Sequence, residues 1–354
     1  MKIFLTSIFK KDPGLIFGIL ILISISILSL RSIAPFVFPV YWAYLIIGII
    51  AFLTFAAIGY DILSVFSWQI YVGCVIFLII PLLIGHVTRG TVRWIPIGPI
   101  TLQPAEIVKP FLLIFFSNYL SGNILPVKKL FTSLLLLFIP IILIVIQPSL
   151  GVSVLNTIGF LGVLLASSFS KRKLFLFFLG AIFLLPVVWF FMAPYQKNRV
   201  VSFLAPTNEK DFAGAGYNSL QSMISVGSGK IFGRGLGKGV QTQLAFLPER
   251  HTDFIFASIS EEMGFLGAFL VLITSFFVLF RISGFVSNAK TLSARMFCAG
   301  IFLTLFAQVL VHVGMNLGLF PITGVPLPLV SAGGSSLLAT MIALGMVAGS
   351  REVV

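Results

Sequence analysis

Apolar residues run in long blocks along this chain, and polar residues fall in short clusters between them rather than at every second position. A helix needs about 20 mostly apolar residues to cross a bilayer, and blocks of that order, bounded by charges and turn residues, predict about ten helices. They lie near 14–30, 40–60, 63–85, 105–120, 130–146, 150–168, 174–192, 254–280, 296–318 and 336–350. The pattern predicts an all-α, polytopic integral membrane protein, a single membrane domain over 1–354. The first block follows Lys2, Lys10 and Lys11, as in a secretory leader. No A-x-A-type cleavage site follows it and further spans come at once, so it reads as a retained helix.

Charge gives the chain a sidedness. With the amino terminus inside, the short inside segments carry Lys2, Lys10, Lys11, Lys128, Lys129, Lys171, Arg172, Lys173, Arg281, Lys290, Arg295 and Arg351. The short outside segments carry Arg31, Arg89, Arg93 and Lys109. That asymmetry predicts both termini in the cytoplasm. Residues 193–253 then form a large extracytoplasmic loop between the seventh and eighth predicted helices, carrying Lys197, Arg199, Lys210, Lys230, Arg234, Lys238 and Arg250. Long loops escape the positive-inside bias, and loops of this length are usually functional or disordered. Phe203, Leu204, Ile231, Phe232, Leu244, Phe246 and Leu247 argue that it packs on the membrane surface.

Composition agrees. The 354 residues are 58% hydrophobic and 9% charged, with a mean hydropathy of +1.13, where a soluble domain carries about a quarter charged residues. The net charge of +13 arises from 23 Lys and Arg against only 10 Asp and Glu. Basic flanks of spans and anionic lipid headgroups account for such an excess, so membrane lipid is the implied partner and nucleic acid is not. An acidic ligand is a second reading of the same charge. Cys74 and Cys298 lie in separate apolar blocks and read as buried thiols, without a disulfide framework or a metal site.

The scarce acids narrow the chemistry. Asp12, Asp61 and Glu352 flank spans, and Glu209 and Asp211 sit in a turn-like stretch, so solvation explains all five. Asp253 closes the run from Phe246 to Asp253 at the mouth of the eighth helix, among apolar residues. Desolvation there would raise its pKa and suit it to be a general base. From spacing alone a helix N-cap is the stronger reading. Glu249 and His251 are placed either to tune Asp253 or as interface residues. Glu106 and Lys109 share a helix face after Gln103 and Pro104, as an ion pair or as catalytic groups. Pro110 disfavours helical geometry at Lys109 and predicts a kink there. Glu261 and Glu262 point to different faces and read as structural. Gln308, His312 and Asn316 form a polar stripe that interhelical hydrogen bonds explain. The glycines from Gly227 to Gly239 resemble a phosphate loop, but Gly239 follows Lys238 where that motif needs Ser or Thr.

Several motifs in order carry a resemblance. They are Arg93-Trp94-Ile95, Gln103-Pro104-Ala105-Glu106 with Lys109, Gln147-Pro148-Ser149-Leu150-Gly151, and Pro194-Tyr195-Gln196 with Arg199. Gly214 to Asn218 with Gln221, Phe246 to Phe256 and Pro321 to Ser336 complete them. From Arg93 onward the chain resembles the shape, elongation, division and sporulation family, RodA and FtsW, and looks most like the RodA branch. Two positions depart: Ser149 stands where the family usually has an acid, and Ala332 where it usually has Tyr.

The resemblance implies a peptidoglycan glycosyltransferase of the bacterial cytoplasmic (inner) membrane, which polymerises lipid II for cell elongation and rod shape. Asp253 is then the base for the attacking sugar hydroxyl. Arg93, Lys109, Arg199 and Lys238, with or without a divalent cation such as Mg or Mn, stabilise the leaving pyrophosphate. Gln103, Glu106, Tyr195, Gln196, Gln221, Glu249 and His251 join the substrate-binding set. The implied protein partner is a class B penicillin-binding protein. Two rival readings are a lipid II flippase, for which the polar stripe on the ninth predicted helix is the only hint, and a non-catalytic scaffold for that partner.

Overall fold

In a computed structural model, residues 12–85, 93–122, 126–170, 172, 189–190, 192, 194–204 and 215–350 are described. The membrane body contains α1 (Pro13–Ile33), α2 (Phe38–Val65), α3 (Ser67–Ile84), α4 (Pro104–Tyr119), α5 (Val127–Ile146) and α6 (Leu150–Leu165). A hairpin of β1 (Ile95–Ile97) and β2 (Ile100–Leu102) precedes α4. The long loop holds α7 (Pro194–Leu204), α8 (Ala215–Ser228) and the short α9 (Val240–Gln243), and α10 (Ile255–Ser287), α11 (Leu292–Asn316) and α12 (Gly334–Gly349) follow. Among the described residues six helices are long and apolar enough to cross a membrane, and α6 and α12 are shorter apolar helices. Nine of the predicted spans thus fall on helices. The remaining one, the seventh at 174–192, lies almost wholly outside the described residues, as do Lys2, Lys10, Lys11, Arg89, Lys171, Lys173, Glu209, Lys210, Asp211, Gly214 and Arg351.

Without water to separate them, the helices associate through close packing and internal hydrogen bonds. α6 meets α11 through glycines: a Cβ on Gly162 would lie 2.6 Å from the Ala299 carbonyl, and one on Gly300 would lie 2.9 Å from Val163. Tyr60, Phe115, Phe116, Phe160 and Phe297 fill the centre, while Phe265, Phe269, Phe276 and Phe280 of α10 face outward. Away from the large cavity, Asp12 caps α1 through the Leu15 amide and pairs with Arg281 at 2.8 Å.

The departure from helical geometry expected at Lys109, before Pro110, is not observed. α4 runs through Lys109 and Pro110 without a non-helical residue, because both side chains are buried and packing overrides the local preference. The breaks fall at glycines instead: Gly59 in α2 (φ 74°) and Gly264 in α10 (φ 70°, ψ −165°). At Gly264 the helix exchanges bonds with the glycine-rich loop. The Glu261 and Glu262 carbonyls accept from the Arg234 and Gly235 amides, and the Phe265 and Leu266 amides donate to Lys230 and Ile231. A Cβ on Gly264 would lie 2.2 Å from the Gly233 nitrogen, and one on Gly233 would lie 2.2 Å from the Glu262 carbonyl. These glycines allow backbone to lie against backbone, so the loop's composition serves a helix break rather than a phosphate.

The Glu261 and Glu262 side chains complete that joint. Glu261 accepts from the Gln241 and Thr242 amides, and Glu262 from the Gly237 amide and the Gln243 side chain. Both carboxylates are structural, as the sequence suggested. Within the loop, Leu247 is buried while Ile231, Phe232, Leu244 and Phe246 are exposed.

Candidate active site

A cavity of about 610 Å³ opens where α4, α6, α10 and α12 begin. Its wall includes the first residues of α6 (Leu150, Gly151, Val152) and of α12 (Gly334, Ser335, Ser336), together with Gln103 just ahead of α4. The cap residues of these three helices, Gln103, Ser149 and Gly333, make no side-chain cap bonds. The positive ends of three helix dipoles therefore converge on one space, a setting that favours an anionic ligand.

Asp253 stands on this wall, on a turn held by several backbone hydrogen bonds. Glu249 adopts φ 49°, and its carbonyl accepts from the amides of Thr252, Asp253 and Phe254. The next carbonyls have no helical partner. That of Arg250 accepts from Ser258 Oγ, that of His251 from the Ala332 amide, that of Thr252 from Ser331 Oγ and that of Asp253 from Asn316 Nδ2. The capping role expected for Asp253 is not observed: the cap position of α10 is Phe254, without a side-chain bond. The Ala257 amide in its first turn is held by Asn316 Oδ1 at 3.1 Å. His251 meets Phe36 edge-on, with ring centroids 5.7 Å apart.

The opposite wall rests on the hairpin. Tyr44 exchanges hydrogen bonds with the backbone of Thr101, Ser335 Oγ donates to the Thr101 carbonyl and the Gln103 amide donates to Ser335 Oγ. Gln103 Nε2 donates to Ser149 Oγ at 3.0 Å. Arg93 lies over the Trp94 ring and reaches the Pro148 carbonyl, and Arg199 of α7 donates to the Ile322 carbonyl at 3.0 Å.

Of the residues singled out in the sequence, Asp253, Arg93, Gln103, Glu106, Gln196, Arg199, Glu249 and His251 line this cavity. Lys109 does not. It is buried behind Glu106, paired with that carboxylate at 2.6 Å and reaching Gln308 Oε1 at 3.4 Å. Lys238 is exposed on the glycine-rich loop, and neither it nor Gln221 lines the cavity. Tyr195 lies in α7, and its side chain is outside the described residues. Among the described residues no three His, Cys, Asp or Glu side chains gather as a metal cluster, so the donor set gives a divalent cation no ready cage.

The sequence missed Tyr44, Thr101, Ser335 and Ser336 as wall residues, and it missed what Asn316 and Ser331 hold. The polar stripe was the available signal. Gln308 Nε2 donates to the Pro326 carbonyl and Ser336, the His312 Nδ1–H donates to the Val325 carbonyl, and Asn316 binds Asp253. The stripe bonds irregular backbone as well as other helices.

These features define a polytopic, all-α membrane protein with an acid-bearing cavity beneath converging helix ends. Its sequence matches the profile of the cell cycle protein family of FtsW, RodA and SpoVE over residues 11–352. The peptidoglycan glycosyltransferase MrdB of Escherichia coli K12 is 37% identical over 303 residues, covering 85% of this chain and 81% of MrdB. A probable peptidoglycan glycosyltransferase FtsW of Buchnera aphidicola subsp. Baizongia pistaciae is 37% identical over 279 residues, covering 75% and 71%. A chain of a peptidoglycan synthase complex superposes with TM-score 0.81 at 28% identity, over 95% of this chain and 96% of that one. The rod shape determining protein RodA of Thermus thermophilus gives TM-score 0.72 at 26% identity, over 96% and 95%. The chain belongs to the FtsW/RodA/SpoVE family.

Proposed function

We propose that this membrane enzyme, a peptidoglycan glycosyltransferase, polymerises lipid II in the cavity beside Asp253, with Asp253 as the general base. The 4-hydroxyl of one lipid-linked sugar attacks the anomeric carbon of another. Its proton passes to the Asp253 carboxylate, the bond from that carbon to the pyrophosphate oxygen breaks, and configuration inverts. The leaving pyrophosphate gathers negative charge. Arg93, Arg199 and the amide ends of α6 and α12 stabilise that charge, because oriented dipoles act without reorganising during the reaction. Lys109 acts indirectly, by neutralising Glu106, and Lys238 takes no part. The observation that carries this reading is the position of Asp253, on a hydrogen-bonded turn in the wall of a cavity where three helix N-termini converge.

The cavity faces outward, with both termini in the cytoplasm and the chain in the bacterial inner membrane. The Lys and Arg asymmetry of the short segments supports this. The lipid tail then stays in the bilayer while the sugars react above it. The chain works as one unit around this cavity, in elongation and rod shape, beside a class B penicillin-binding protein. The likeness to a chain of a peptidoglycan synthase complex supports a partnered enzyme.

Asp253→Asn tests the base. Asn keeps the shape, and capping does not confound the result because Asn316 already holds the first turn of α10. Loss of a general base costs about 10²–10⁴-fold in rate. Polymer formed from labelled lipid II by the purified, monodisperse variant should fall by that factor, and wild-type polymer would show that Asp253 is not the base.

A further inference from the structure

Asp253 lies outside any helix, so something must hold it, and three consecutive carbonyls show what does. Those of His251, Thr252 and Asp253 are bonded by the Ala332 amide, Ser331 Oγ and Asn316 Nδ2. All three donors come from the end of α11 or from the segment between α11 and α12. Two are side chains that chemistry can remove singly. Asn316 is 0% exposed and Ser331 is 2% exposed, and neither lines the cavity. Ser331 Oγ also accepts from the Leu327 amide at 2.8 Å, which fixes the direction of its own donation.

Asn316 is the more telling of the two. One amide group straddles the start of α10. Its Oδ1 accepts from the Ala257 amide, doing the work of a helix cap from a neighbouring helix, while its Nδ2 donates to the Asp253 carbonyl at 3.1 Å and to the His312 carbonyl at 2.8 Å. Ser222 Oγ of α8 donates to the Asn316 carbonyl at 2.9 Å, anchoring the same point from the loop side. Capping is thereby removed from the residue whose carboxylate faces the cavity, and the backbone beneath that carboxylate is tied to α11.

We propose that Asn316 and Ser331 are positioning residues for Asp253, which set the placement of its carboxylate and do not touch the substrate. The proposal rests on Asp253 as the base. Misplacing a reacting group by about 1 Å costs about 10²-fold. Asn316→Ala and Ser331→Ala should each lower kcat for lipid II polymerisation by about 10- to 100-fold, with KM changed by less than about twofold, as for an interaction made only in the transition state.

A double-mutant cycle separates positioning from general support of the fold. Combined with Asp253→Asn, either substitution should lower the residual rate no further, because each acts through the Asp253 carboxylate. A residue that merely supports the fold would lower the residual rate by the same factor in both backgrounds. Should Asn316→Ala fail to insert, Ser331→Ala carries the test, since it removes a single hydroxyl and leaves the first turn of α10 intact. Near-normal kcat in the stable variants, a loss carried by KM, or equal losses with and without the Asp253 carboxylate would each overturn the proposal. Wild-type polymerisation by Asp253→Asn alone would overturn the assignment of the base instead, so the two failures are distinguishable.

Discussion

Replacing Gly264 by Ala should undock the glycine-rich loop from α10 while leaving the membrane body assembled. At φ 70° and ψ −165° the backbone lies in a region that is essentially glycine-only and costs other residues about 1–3 kcal/mol. The new Cβ would also lie 2.2 Å from the Gly233 nitrogen and 2.5 Å from the Ile231 carbonyl, both backbone atoms that cannot swing away. The cheapest relief is for α10 to heal. The Phe265 and Leu266 amides would return to the Glu261 and Glu262 carbonyls, and four loop groups would lose their partners. That is a net loss of two hydrogen bonds, at about 0.5–1.5 kcal/mol each. Those two bonds oppose undocking equally in the parent and in the variant, so the docked loop is disfavoured by the strain alone, about 1–3 kcal/mol, and exchange of the Arg234 and Gly235 amides should accelerate on the order of 30-fold at the middle of that range. Hydrogen exchange by mass spectrometry, in the micelle used for the activity assay, reads this directly. Gly73→Ala is the control, because its Cβ meets no atom within 4 Å and a helix interior favours Ala by about 1 kcal/mol. Unchanged protection of Arg234 and Gly235 in Gly264→Ala would refute the exchange of bonds as the reason for the break.

Lys109→Ala should reduce glycan synthesis more than Ser149→Ala at equal protein levels. The first strands the buried Glu106 carboxylate, at about 3–5 kcal/mol, and the second removes one bond from Gln103, at about 0.5–1.5 kcal/mol. Comparable losses would count against the assigned pairing. Lys238→Ala should polymerise lipid II at close to the wild-type rate, because the exposed ammonium lies outside the cavity. A loss as large as that of Arg199→Ala in the same assay would return Lys238 to the site.

Much of the architecture was legible because a bilayer leaves few options. An apolar block of span length must become a helix, so α1, α2, α3 and α5 follow from length and hydropathy alone. The turn bearing Asp253 was also legible as a place, since a carboxylate among Phe246, Leu247, Phe254 and Phe256 is costly without a purpose. Which cations share the cavity was not. Lys109 follows Glu106 by three residues, and such spacing fits both an ion pair and two groups aimed at a ligand. Only the 2.6 Å pair with Glu106, which leaves Lys109 outside the cavity lining, decides between them. Lys238 was drawn in by its glycine neighbours. Their purpose lay 25 residues away, at a helix break where Glu262 Oε1 meets the Gly237 amide, and no local pattern reports a contact at that separation.

The polar stripe on α11 argues for a different reading of polar residues in membrane helices. Gln308, His312 and Asn316 looked like bonds between helices, yet each of them bonds a carbonyl in a non-helical segment: Pro326, Val325 and Asp253. Irregular backbone at membrane depth is tolerated only where its polar groups are satisfied from within the protein. An active site needs such backbone, because Asp253 must stand outside a helix to face a substrate, and so do Thr323 and Gly324 on the facing segment. A cavity of this kind therefore demands donors on the helices behind it, spaced at one turn so that they meet successive loop carbonyls. A stripe at every fourth residue near the end of a span is thus a pointer to an irregular segment packed on that helix face, and through it to the site which that segment carries. By the same logic Ser331 and Ser335, one turn apart before and within the start of α12, are the counterpart donors from the other side of the cavity, bonded to Thr252 and Thr101 on its two facing walls.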